Sequence, residues 1–437
     1  MSLAGLVRGL YFVVARFAHE QNMKYSQVFV NTLRADPQGE TSANAKLLAR
    51  AGFADKLMAG SYTFLPLGFR VKEKIEQICR EEMNAIGSQE ILMPLLHPRE
   101  VWDETGRWND RGVQAIMYQF KTLEGKEYGL SFTHEEVFLD LARKNTLSYK
   151  NLPVRLYHFS TKFRNEARAR SGLLRGREFI MKDLYSLHAT QECLDNFYWQ
   201  VKDAYLKIFE RCGLDKVKVV EAAGGVFTSG RTHEFQLLHP VGEDTVYYCA
   251  KCDWAQNKEI YVHRVGGQCP QCSGRVEEAS AIEVGNIFRF GTVYSEKMKV
   301  MFKDKDGSAK PAYLGSYGIG VSRLVGAIAE VFNDEAGLIW PASVAPFKAH
   351  LVSLGEKSAA LAEKIYKKLV QAGVEVFWDD RDESAGIKLA DADLIGLPYR
   401  LVVSDKTLVK DSVEVKPRAS KKMELVKLDK IVSRLMK

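Results

Sequence analysis

Val71, Ile75, Ile78, Cys79 and Met83 recur at helical spacing among Lys, Glu and Arg, and the run breaks in AIGSQEILMP. This pattern predicts an amphipathic helix that follows a short aromatic strand, SYTFLPLGFR, and leads into a strand ending at Pro94. Farther on, EYGLSF, VRLYHFSTKFRNE, REFIMKDLYSLHA and KVKVVEA read as strands, while Phe197, Val201, Tyr205 and Ile208 mark one face of a helix between Gln191 and Cys212. The second and third of these strands are joined by a loop too short for a crossover helix, so they are expected to pair antiparallel. IEVGNIFRFGT and MKVMFKD add two strands before the glycine-punctuated strand-to-helix passage LGSYGIGVSRLVGAIAEVF.

Periodicity lapses in IWPASVAPF, with its two prolines, and resumes in short alternating units. AHLVSL, a helix over 357–372, VEVFWD, a short helix around Ala390 to Ile395, YRLVVS, SVEVKPR and a terminal helix to Lys437 describe a small α/β domain. The expected fold class is therefore α/β: a mainly antiparallel sheet with flanking helices, followed by that small domain. The boundaries are an extension of undecided status at 1–22, a large domain at 23–341 with a cysteine-rich ribbon at about 245–278, and the small domain at 345–437.

At 437 residues, 46% hydrophobic and 27% charged, the chain has the composition of a folded globular protein rather than a disordered one. A net charge of +7 admits an anionic partner without identifying RNA. No run reaches the ~20 apolar residues that span a bilayer. MSLAGLVRGLYFVVARF reads as a signal peptide, an organellar leader, a packed or frayed helix, or an upstream start before Met23.

FRNEARARSGLLRGREF, Phe163 to Phe179, holds five arginines and two glutamates. Arg164 and Glu166 are two apart and so share a strand face. Arg168, Arg170 and Arg175 flank Gly172, and the return strand carries Arg177 and Phe179. Guanidinium forks suit phosphate and carboxylate oxygens, and an aromatic ring beside them suits a purine. A solvated basic hairpin is the other reading. In GSYGIGVSRLVGAIAE, Arg323 falls in the first turn of a helix, where free N–H groups also meet phosphate. The glycine spacing is neither GxGxxG nor a P-loop. Among seven cysteines, Cys79, Cys193 and Cys212 read as buried thiols, whereas Cys249 and Cys252 (CAKC) and Cys269 and Cys272 (CPQC) are paired sixteen residues apart. That spacing suits a closed, structural Zn2+ site, or else four reduced thiols.

These segments together resemble the class II aminoacyl-tRNA synthetases and, within them, the bacterial-type prolyl-tRNA synthetase family. YTFLPLGFRV through EILMP resembles the dimer-forming first motif of the class, FRNEARARSGLLRGREFIMKDLYSLH the second and GSYGIGVSRL the third. SFTHEE, EVGNIFRFGTVYSE and DDRDESAGIKLADADLIGLPYR resemble family segments. The resemblance implies a class II catalytic domain, an anticodon-binding domain, a cytoplasmic homodimer, and ATP with Mg2+, L-proline and tRNA(Pro) as ligands. Arg164 and Arg323 would be catalytic, with ATP held by Arg164, Glu166, Arg175, Phe179, Gly320, Arg323 and Thr292. Proline would meet Thr133, Glu135, Arg164, His188, Gly230 and His233; His188 and His233 also read as ordinary hydrogen-bonded histidines. The anticodon would meet Asp391, Asp393, Arg400, Glu414 and Arg418, each of which also reads as a surface ion-pair residue.

Asn286 stands where the family usually has histidine, and Arg231 with Gly230 alters a turn of small residues. A regulatory paralogue would have lost Arg164, Glu166, Phe179 or Arg323, and all four are present. Many bacterial members insert an editing domain between the second and third motifs. Here only the cysteine ribbon lies there, which implies the short form. The pure protein is accordingly expected not to deacylate alanyl-tRNA(Pro); rapid alanine release in a deacylation assay would refute this.

Overall fold

The computed structural model describes residues 23–436 other than 30, 146–147, 229 and 263–264, so the expectations for 1–22 lie outside the described residues. Lys56–Tyr62 and Ile75–Ile328 make one unit; the described residues up to Asp55, with Thr63–Lys74 and Ala329–Lys437, make the other.

Nine strands form the main sheet of the first unit: β1 Gln89–Glu90, β2 Val154–Phe163, β3 Glu178–His188, β4 Val217–Ala223, β5 Arg231–Leu238, β6 Asp244–Cys249, β7 Ala255–Asn257, β8 Val276–Gly291 and β9 Tyr313–Gly320. They lie in the order β5-β4-β7-β6-β8-β9-β3-β2-β1, with β5 also pairing β8. Only β1 with β2 and β4 with β7 run parallel. The antiparallel expectation for β2 and β3 holds, with Val154 opposite Leu187 and Phe163 opposite Glu178.

Period-2 alternation gives this sheet two faces with different duties. On β3, Lys182 bonds Tyr205, and His188 bonds Cys193, so the even residues face helix α2, Gln191–Arg211. The odd residues Asp183 and Tyr185 reach Lys162 and the backbone of His134 on the opposite side. That second side carries an apolar core in which Tyr185, Leu187, Phe288, Phe290 and Leu314 pack with Phe138 and Leu139 of helix α1, Glu135–Asn145.

Several elements differ from expectation. Strand β8 starts at Val276 rather than near Ile282, because it continues from the returning arm of the cysteine ribbon in register with β6. MKVMFKD keeps only Met301–Lys303 as strand, preceded by a helical turn at Val293–Lys297. The helix expected from Val71 begins earlier, at Pro66, where a missing N–H is no loss in the first turn.

In the second unit, β10 Ala349–Leu354, β11 Val376–Asp379, β12 Tyr399–Ser404, β13 Ser412–Pro417 and β14 Glu424–Lys427 form a sheet, ordered β11-β10-β12-β13-β14, with Met23–Lys24 added in parallel beside β11. The terminal segment is strand β14 and then a short helix, Ile431–Met436, rather than one helix. Next to Met23–Lys24, Tyr25 is buried against Phe377, and the Arg381 guanidinium lies 3.5 Å from its ring centroid. Tyr25→Ala removes a buried ring and is expected to cost about 3 kcal/mol of stability in urea unfolding. Neighbouring Ser26→Ala, whose contacts to Asp380 are exposed, is expected to cost under about 1 kcal/mol.

Candidate functional site

The hairpin between β2 and β3 carries the arginine-rich segment to one wall of a cleft of about 390 Å³ lined by Arg164, Glu166, Arg175, Glu234, Glu283 and Arg323, among others. Backbone pairing continues past β2, since Arg164 N–H donates to Arg177 O at 2.8 Å, so Arg164 is aimed by the hairpin itself. Its guanidinium lies 5.2 Å from the Phe179 ring centroid, and its Nε is buried without a hydrogen-bond partner. Burial, and then the nearby Arg323, lower its pKa. Two cations thus converge where anionic oxygen would relieve both. Arg323 donates from NH1 to Glu283 O at 2.5 Å and lies 3.3 Å from Glu283 Oε2, while Asn286 Nδ2 donates to Glu283 Oε1 at 2.9 Å.

The other arginines of the segment divide clearly. Arg175 faces the cleft, bridging Glu166 at 2.8 Å and Glu243 at 2.9 Å. Arg170 pairs with Glu243 at 2.6 Å, and Arg168 is exposed. Arg177 donates to the carbonyls of Glu166 and Ala59, so it braces the hairpin. The opposite wall is acidic: Glu234 is pushed up to about 8 by burial and by Glu283, and burial with Glu283 also raises Asp244. Gly318 lies in β9 opposite Asn286 on one side and Asp183 on the other. A Cβ there would stand 3.0 Å from Asn286 Oδ1 and 2.3 Å from Met181 Cε. Gly320 lies against the Arg323 stem, where a Cβ would stand 3.1 Å from Arg323 Cβ.

On the same face, Thr133 Oγ1 donates to Glu135 Oε2, and Ser316 Oγ donates to Glu135 Oε1 at 2.9 Å. Glu135 is buried at the first turn of α1, where carboxylates are favoured. Beneath it, Lys162 bonds both Asp183 and His134 Nδ1, so the buried group His134, His158 and Asp183 already holds a cation in Lys162.

Four expected site residues lie elsewhere. His188 is an even residue of β3 and faces α2, with Nε2 on Ser186 and Nδ1 on Cys193. His233 bonds the Tyr198 hydroxyl of α2 at 2.7 Å and opposes Ile287 on that same face. Burial lowers both imidazoles to about 4, so they stay neutral. Neither walls a pocket around Glu135. Thr292 donates to Glu296 at 2.7 Å, at the far end of β8 from Glu283, on the order of 30 Å of strand away. Gly230 is exposed before β5, with its N–H on Thr228, and it is Phe227 of that loop that packs on Phe132 and Phe288. Ser316, Phe227, Arg107 and the acidic wall were not singled out from sequence. For Ser316 a signal existed, two residues from Gly318 and hence on its face.

The four ribbon cysteines come together, with Cys249 and Cys272 Sγ 3.5 Å apart and Cys252 and Cys269 Sγ 3.6 Å apart. These separations are close to the ~3.8 Å edge of a tetrahedron with ~2.3 Å Zn–S bonds. Backbone N–H groups of Lys251, Gln271 and Gly274 donate to the sulfurs, as suits thiolates. Gly274 has room for nothing larger, since a Cβ would sit 2.6 Å from Cys249 Sγ. The set fits a closed metal site.

In the second unit, Asp391 is fully buried, accepting from Thr32 and pairing with Arg34 and Arg381 at 2.8 and 2.9 Å. Arg418 is buried too, with its fork on Asp334 and its Nε on Asp393 O. Both are buried and engaged by partners within this unit, a placement that argues against their reading as base contacts. Asp393 and Arg400 pair at 2.8 Å, and Glu414 is half-buried on β13.

Comparison with known proteins follows the two units. Residues 118–332 match the tRNA synthetase class II core domain (G, H, P, S and T), and 343–437 match the anticodon binding domain. A proline–tRNA ligase of Bacillus mycoides is 36% identical over 94% of this chain and 98% of its own length; that of Bacillus cytotoxicus is 36% identical over 93% and 98%. The structure of prolyl-tRNA synthetase from Cryptosporidium parvum, complexed with halofuginone and AMPPNP, shares the fold with a TM-score of 0.74 at 17% identity, covering 90% of this chain and 76% of that one. Fold and sequence thus define a class II aminoacyl-tRNA synthetase, a catalytic sheet joined to an anticodon-binding domain. Within that class, the chain belongs to the bacterial-type prolyl-tRNA synthetase family. The B. mycoides alignment spans 561 positions, so at least 124 of them are residues of the relative without a counterpart in 437. Among the described residues no helix is long and apolar enough to cross a membrane.

The metal reading is tested by Cys272→Ser. Wild-type protein is expected to carry about one zinc per chain by elemental analysis, and the variant far less, with a lower thermal midpoint. Metal-free wild type of unchanged midpoint would refute a structural role.

Proposed function

We propose that Arg164 and Arg323 are the catalytic cations of the proline–tRNA ligase reaction. In that reaction proline attacks the α-phosphate of ATP to form prolyl-adenylate and release pyrophosphate; the prolyl group is then transferred to tRNA(Pro) and AMP leaves. The observation that carries the assignment is the convergence of the two guanidinium groups on one cleft, with Arg164 Nε buried and unpartnered. The proline carboxylate is already a nucleophile, so activation needs orientation and compensation of charge building on phosphorus rather than a general base. Cations fixed by a hairpin and by the first turn of a helix supply both.

Glu166 then receives the adenine amine, Phe179 stacks on the base, and Arg175 exchanges part of its carboxylate pairing for an outer phosphate. Gly320 keeps the backbone close beside Arg323. Thr133 and Glu135 hold the prolinium nitrogen, joined by Ser316. ATP enters as its Mg2+ complex, and the hard oxygen donors of Glu234, Asp244 and Glu283 suit such a cation. Zn2+ at Cys249, Cys252, Cys269 and Cys272 is structural, because four thiolates leave no open position. Residues 23–341 serve as catalytic domain with the ribbon at 245–278, and 345–437 read the anticodon, with Glu414, Asp393 and Arg400 as remaining contacts. A cytoplasmic homodimer completes the proposal.

Pyrophosphate exchange into ATP is expected to depend on proline, and an exchange driven by another amino acid instead would overturn the substrate. Arg164→Ala is expected to lower kcat/KM for exchange by on the order of 10³-fold while leaving the protein folded, because the side chain faces the cleft rather than the core. Near-normal exchange by that variant would remove Arg164 from catalysis.

A further inference from the structure

Arg107 is buried, 8% exposed, inside a cage of four rings: its Cζ lies 5.2 Å from the ring centroid of Trp102, 5.4 Å from Phe132, 5.7 Å from Phe227 and 5.5 Å from Tyr294. NH1 donates to Oε1 and Oε2 of Glu136 at 2.9 and 3.2 Å, and lies 3.7 Å from Glu135 Oε2. Glu136, fully buried, also accepts from Thr105 Oγ1 at 2.9 Å. Nε and NH2 of Arg107 have no hydrogen-bond partner. A buried cation with unmet donors among aromatic rings is a poor stabilising device, because apolar replacements of similar volume commonly do as well. Its retention calls for another explanation.

That explanation lies in the charge count. Glu135 and Glu136 are adjacent at the start of α1, and two buried carboxylates there without a fixed cation would compete for one incoming ammonium. Arg107 cancels the charge of Glu136 through both oxygens, yet stands beyond hydrogen-bond reach of Glu135. The donors that Glu135 does receive, from Thr133 and Ser316, are neutral hydroxyls.

We propose that Arg107 is a positioning residue that sets the proline subsite to a net charge of minus one, by neutralising Glu136 while leaving Glu135 free to pair with a single ammonium. This rests on the assignment of Glu135 to the proline nitrogen. The aromatic cage holds the guanidinium in place and keeps water from weakening the interaction. Arg107 itself need not touch the substrate.

The test is proline-dependent pyrophosphate exchange by Arg107→Met, Glu136→Gln, the double variant and Glu135→Gln. Arg107→Met leaves two uncompensated carboxylates competing for the ammonium, and Glu136→Gln leaves Arg107 only Glu135 to pair with. Each is expected to raise KM for proline about tenfold, with KM for ATP unchanged. The double variant removes one charge of each sign and so restores minus one. Its proline KM is expected to return to within about threefold of wild type. A double variant no better than the poorer single would make the role merely structural and overturn the inference. Should Arg107→Met fail to fold, Glu136→Gln against the double variant decides the same point. If Glu135→Gln leaves proline KM unchanged, the underlying assignment fails; if it raises KM while neither single does, only this inference fails.

Discussion

Alternation along the strands of the nine-stranded sheet is the constraint from which the rest follows. With side chains turning over at every residue, β3 gives Asp183 and Tyr185 to one side and Lys182, Ser186 and His188 to the other. Cross-strand pairing carries that sorting across the sheet: Tyr185 opposes Ser316, Ser316 opposes Phe288, Gly318 opposes Asn286, and Asn286 opposes Glu234. One face is thereby committed to chemistry and the other to a helix. A one-residue slip in any of these registers would exchange the two sets of side chains.

On the committed face, charge is distributed unevenly. Arg175 and Arg170 are compensated by carboxylates, and Lys162 by Asp183, whereas Arg164 has a buried nitrogen without a partner and a like charge in Arg323 beside it. Burial makes this arrangement unfavourable in the absence of an anion, and the catalytic role proposed for the pair rests on that. The acidic wall of Glu234, Asp244 and Glu283 places the opposite sign across the same cleft. Rigid backbone pairing on both sides of the arginine segment keeps the cost in place rather than letting it relax.

Periodicity and fixed spacing made strands β2, β3, β4, β8 and β9, the helix Gln191–Arg211 and the cysteine quartet legible in sequence, whereas Glu135 was reached only through the family resemblance. Face assignment across strands was not. His188 and His233 lie within segments that resemble substrate-binding motifs, yet whether a side chain points to the cleft depends on register with strands distant in sequence. Thr292 misled for a related reason, since β8 is long enough to carry one end of a motif into the cleft and the other well away from it. Arg107 gave no signal at all; its neighbours Phe132, Phe227 and Tyr294 come from three separate segments that only folding brings together.

The C-terminal unit shows the converse of the cleft. Asp391 accepts from Thr32 and pairs with Arg34 and Arg381, and Arg381 in turn holds both oxygens of Asp379. Base recognition requires donors and acceptors with capacity to spare, and a carboxylate already engaged by two guanidinium groups has little to offer an incoming base. The segment beginning at Met23 is what engages it: a parallel strand beside β11, the buried ring of Tyr25, then Thr32 and Arg34 over the charged cluster. Residues remote in sequence from this domain therefore determine which of its polar groups are structural.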